Sequence, residues 1–105
     1  MTKKAALQND LSLLSILEDN LHTQIINHKS DLDLAEADLL MNFKLLKEKV
    51  VAEVEVRPSQ STFIAKKQVL DQAKTAFNNN EMAQNQKRQE LLDLEKIRIQ
   101  QYNSY

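Results

Sequence analysis

Glycine is absent from this chain, proline occurs once, at Pro58, and neither cysteine nor tryptophan occurs. Glycine is the usual residue where backbone enters left-handed space or closes on a phosphate, so its absence excludes nucleotide-binding loops and removes the common helix C-cap. Lack of cysteine rules out disulfide staples and thiolate sites, which fits a reducing compartment. Aromatic residues make up 5% of a chain that is 42% hydrophobic, so burial must be mostly aliphatic. A net charge of -1 gives no general attraction to nucleic acid or anionic lipid. No stretch approaches the roughly 20 apolar residues needed to span a bilayer. Leu11 to Leu17 follows Lys3 and Lys4 but is short, is bracketed by Asp10 and Glu18, and lacks a small-residue cleavage site, so no secretory signal is expected. These features together predict a soluble, cytoplasmic protein.

What remains is helical periodicity over 105 residues, the length of one domain. Apolar residues recur at three- and four-residue steps through Leu7, Leu11, Leu14, Leu17, Leu21 and Ile25, then Leu32, Ala35, Leu39, Phe43, Leu46, Val50 and Val54. A second stripe follows Pro58 through Phe63, Leu70, Ala73 and Phe77, and resumes at Leu91, Leu94, Ile97 and Tyr102. Residues 1 to 57 carry ten acids against seven bases, and residues 58 to 105 carry five acids against seven bases, so the halves are mildly complementary. The predicted fold is all-α: an antiparallel hairpin of two long helices joined near Pro58, associating into a four-helix bundle or coiled-coil assembly.

Pro58 lacks an amide donor and disfavours helix at Arg57, while Ser59, Ser61 and Thr62 are all capping types. The expected organisation is therefore a single hairpin domain, with helix 1 over about 4–56, a turn at 57–61 and helix 2 over about 62–102. Facing residue numbers would then sum to about 116, which sets Leu39 against Phe77, Phe43 against Ala73 and Leu46 against Leu70. Two polar stretches compete with continuous arms. Ser30 with Asp33, after Asn27 and His28, and Asn78 with Glu81 have the spacing of capping boxes, and breaks there would give four shorter helices. Val54-Glu55-Val56 alternates like a short strand, as between the helices of prefoldin-type chaperones, but no second strand accompanies it and the segment is read as helix. Residues 78 to 90, rich in asparagine and glutamine, are expected to pack poorly.

Catalytic patterns are weak throughout, and no enzyme, cofactor, metal or small-molecule substrate is expected. Asp19 and His22 have the i, i+3 spacing of di-metal helical bundles, but such centres need two copies and further glutamates. His28 falls on the main stripe and reads as a register-setting polar residue. Asp31 and Asp38 share one side of a helix, with Asp33 and Glu36 elsewhere, which describes a solvated face rather than a calcium loop. Basic residues of the second arm are interleaved with Asp71, Glu81, Glu90, Asp93 and Glu95 instead of forming a phosphate-tracking stripe, so RNA binding is the least favoured alternative.

From Leu39 to Leu46 apolar side chains occupy nearly the whole helical circumference, more than one partner helix can cover. Leu39, Leu40, Met41, Phe43, Leu45 and Leu46 are therefore the candidate partner-binding residues. The expected function is a non-catalytic adaptor or chaperone that covers amphipathic helices of a helical protein partner. The alternative is a structural homodimer, a four-helix bundle or coiled-coil unit with no client. In outline the predicted hairpin is similar to small secretion-associated helical proteins. One family of these is named for a Trp-x-Gly turn; here Arg57-Pro58-Ser59 stands at the predicted turn and neither tryptophan nor glycine exists. That outline implies a role as a secretion-system chaperone or targeting partner.

Overall fold

A computed structural model describes residues 2–103. It contains two α-helices, α1 (Lys3–Lys47) and α2 (Glu53–Asn103), which form a helical hairpin with no strand among the described residues. Thr2 caps α1 from outside, its hydroxyl accepting a hydrogen bond from the Ala5 amide at 3.1 Å. Both arms run unbroken through the two polar stretches: Asn27 to Ser30 lies inside α1 and Asn78 to Glu81 inside α2, so the four-short-helix alternative is not adopted.

The turn lies at 48–52, not at 57–61 as the sequence suggested. Its backbone has the pattern of a Schellman cap: the Val50 amide donates to the Leu45 carbonyl at 2.8 Å and the Lys49 amide to that of Leu46 at 3.0 Å. Lys49 takes the left-handed conformation, with φ of 62°, that glycine usually supplies. Helix dipoles reinforce this point of reversal, since Lys44 and Lys47 lie in the last turn of α1 and Glu53 and Glu55 in the first turn of α2. Replacing Lys49 with glycine removes the steric cost of a Cβ in left-handed space, and we expect a gain of about 1 kcal/mol in urea unfolding. A loss on Lys49→Gly would contradict this cap geometry.

Pro58 sits inside α2 rather than in the turn. It denies an amide to the Val54 carbonyl, but Val54 is exposed, so water can satisfy that oxygen close to the helix start. Helix 2 thus begins about two and a half turns earlier than expected, and the Val50 to Val56 segment divides between turn and helix.

The chain divides into two compact units, Met1–Leu21 with Ala76–Tyr105, and His22–Thr75. In the first unit the helices pair antiparallel: paired residue numbers sum to 94 for Leu14 and Asn80, 97 for Asp10 and Lys87, and 99 for Lys4 and Glu95. In the second unit Asp38 and Ser59 sum to 97 and Asn42 and Ser59 to 101. The expected register of about 116 is therefore incorrect, because it placed the reversal at Pro58 instead of Lys49.

From Leu14 on α1 and Val56 on α2, sheltered residues recur at alternating three- and four-residue steps, the heptad pattern of a two-stranded coiled coil. On α1 it passes through Leu14, Glu18, Leu21, Ile25, His28, Leu32, Ala35, Leu39, Asn42 and Leu46. Glu18 and Asn42 thereby occupy seam positions that the apolar stripe had assigned to Leu17 and Phe43, and those two side chains are pushed outward. On α2 the seam runs from Val56 through Ser59, Phe63, Lys66, Leu70, Ala73 and Phe77 to Asn80, Gln84, Lys87, Leu91 and Leu94. Val56 is the most completely buried side chain, 2% exposed.

Candidate helix-docking surface

Two polar clusters punctuate the seam. In the first unit Asn80 and Gln84 are buried. The Asn80 amide donates to the Leu14 carbonyl at 3.0 Å, Gln84 donates to Asn80 Oδ1 at 2.6 Å, and Arg88 donates to Gln84 Oε1 at 2.9 Å. This chain of bonds leads from the interior to a surface hollow lined by Glu18, Glu81, Gln84, Asn85 and Arg88. The stretch expected to pack poorly therefore contributes two of the buried side chains of its unit, and its amides are matched rather than solvated.

In the second unit the buried Ser59 hydroxyl donates to Asp38 Oδ2 at 3.2 Å and accepts from the Asn42 amide. Ser59 thus ties α2 to α1 instead of capping a helix. Among the described residues no buried side-chain nitrogen or oxygen lacks a hydrogen-bond partner. An isolated polar residue in such a seam costs stability but penalises displaced registers, in which its hydrogen bonds are lost.

With the seam filled, the sequence-predicted contact residues separate. Leu39 is buried at 9% exposure and belongs to the seam, so it is unavailable to a partner. Leu45 and Leu46 are half-buried, and Leu46 lines a shallow hollow with Phe43, Glu53, Val56, Arg57 and Gln60. Leu40 and Met41 are 59% and 57% exposed, and Phe43 is also open to solvent. Sequence reasoning left Leu34, Ile64 and Val69 of the same unit off the site, although all three are exposed. Their signal is heptad position: each lies outside the seam phase, where a hairpin in isolation would carry polar residues.

Heptad geometry also divides each unit into two flanks. In the second unit one flank collects Leu34, Met41 and Leu45 from α1 with Ala65 and Val69 from α2; its charged groups are Asp31, Asp38 and Glu55. The opposite flank holds Ile26, Leu40, Phe43 and Ile64 among the mixed charges Lys29, Asp33, Glu36, Lys47, Glu53, Arg57, Lys67, Asp71 and Lys74. The ion pair described in this unit, Lys29 to Asp33 at 2.7 Å, belongs to that mixed flank. Its hydrogen bond, then its charge, holds the Lys29 ammonium above its ordinary pKa. In the first unit, Leu13 and Ala83 line an apolar hollow between Asp10 and Lys87.

His22 is exposed and His28 half-buried at its seam position. Among the described residues no group of three or more His, Asp or Glu side chains converges as metal ligands, and no helix is long and apolar enough to cross a membrane. No family model, curated protein or solved structure matches the chain.

Proposed function

We propose that this protein is a non-catalytic interaction module, an adaptor or chaperone whose hairpin docks an amphipathic helix of a protein partner. The supporting observation is the set of exposed large apolar side chains outside an already filled seam, with Leu34, Met41 and Val69 on one flank and Leu40 on the other. Each such side chain left wet forfeits roughly 1.5–3 kcal/mol of burial, which a docked helix recovers. Coverage of a client's helix before its assembly or export, as by a secretion-system chaperone, is one role this mechanism serves.

A photo-cross-linking residue at Met41, compared with one at the exposed Gln68, tests the reading. Adducts with one heterologous protein, formed at Met41 and not at Gln68, are expected. Adducts between two copies alone would replace the adaptor reading with the structural homodimer, and equal yields at both positions would remove both.

A further inference from the structure

The two flanks of the second unit differ in charge, and that difference specifies the docked partner. On the apolar flank, Asp31, Asp38 and Glu55 interleave with Leu34, Met41, Leu45 and Val69, and no lysine or arginine occupies a flanking heptad position. The bases nearest by phase are Lys66, half-buried in the seam of α2, and Lys44, on the outer crest of α1. An apolar surface whose charge is predominantly of one sign selects a partner of the opposite sign through encounter rate and through the cost of opposing like charges.

A second copy of this chain is a poor occupant. Two-fold stacking of this flank on itself would set a net-acidic surface against an identical one, with the half-buried Lys66 as the one base at its seam edge. Stacking it on the mixed flank of another copy would be a head-to-tail contact, which does not close into a dimer.

We propose that this flank receives a cationic amphipathic helix, with aliphatic residues on one face and lysine or arginine interspersed along it. The proposal rests on the adaptor reading and narrows its partner class. The aliphatic face covers Leu34, Met41 and Val69, while the cations meet Asp31 and Glu55 beside them. Asp38 is already engaged with Ser59 and contributes charge from a fixed position.

The experiment uses the full chain and two fluorescent helical peptides with the same leucine face, one carrying lysines and the other glutamates in their place. Fluorescence anisotropy at about 0.05 M salt should show the lysine peptide binding at least about tenfold more tightly, with the gap narrowing at about 0.5 M as screening sets in. Asp31→Lys with Glu55→Lys should reverse the preference, whereas Lys67→Glu with Lys74→Glu on the other flank should preserve it. Circular dichroism checks that each variant stays helical. Equal affinity for both peptides, abolished by Leu34→Asn with Met41→Asn, would overturn the charge selection and leave helix docking intact. Binding of neither peptide, or binding indifferent to Leu34→Asn with Met41→Asn, would overturn both. Self-association lost on Asp31→Lys with Glu55→Lys would identify a second copy as the occupant and overturn the cationic partner.

Discussion

Leu39→Ala should cost about 2–4 kcal/mol in urea unfolding, whereas Leu40→Ala, one residue along, should change stability by less than about 0.5 kcal/mol. The contrast follows from phase alone. Leu39 is buried in the seam, so its truncation leaves a cavity as well as lost transfer free energy, while Leu40 is mostly in water already. Partner binding should respond instead at Met41, which is exposed on the docking flank, since Leu39 is buried and Leu40 lies on the opposite flank. Comparable destabilisation by both substitutions would mean that α1 is rotated from the phase described.

Asn80→Ala should be comparably damaging, about 2–4 kcal/mol, for a different reason. It opens space in the seam and also strands the Gln84 amide, which donates to Asn80 at 2.6 Å and would be left buried without its partner. Replacing both residues, Asn80→Leu with Gln84→Leu, should recover that loss and exceed the parent in thermal unfolding, because the polar pair is then exchanged for apolar packing with no orphaned group. What the double variant should lose is a unique register. Cysteine pairs placed at positions 14 and 80 and at shifted positions would reveal this as cross-linking in more than one alignment. A double variant less stable than Asn80→Ala would show that the polar chain stabilises the hairpin outright.

These two positions also show how much of the fold could be read from residues alone. All-α character, hairpin topology and most of the seam follow from periodicity and the absence of glycine. The register did not, and the cause is arithmetic: the expected and observed registers differ by about 18 in summed residue number, close to five helical turns, so either one sets apolar stripe against apolar stripe. Only the turn could decide between them. Pro58 was the conspicuous signal, whereas the effective one was electrostatic, with Lys44 and Lys47 ending one helix and Glu53 and Glu55 starting the next. A lysine in left-handed conformation leaves no mark in a sequence.

The candidate surface was legible to a similar degree. The Leu39 to Leu46 segment reads as having more apolar circumference than one partner can cover, and the structure leaves Leu40, Met41 and Phe43 exposed there. Which of the remaining residues turn inward depended on the seam accepting Asn42 in place of Phe43. Hydrophobicity argues against that exchange, and the hydrogen bond from Asn42 to Ser59 accounts for it.

Reversal at Lys49 also orders events in time. Leu46 and Val56 are separated by ten residues of chain and line one hollow, whereas the buried Leu7 and the seam residue Leu91, both of the first unit, are separated by 84. Bringing the distant pair together from a disordered chain costs about 2 kcal/mol more in loop closure. Assembly should therefore start beside the reversal and zip toward the termini, with high φ-values at Val56 and Leu46 and low ones at Leu7 and Leu91.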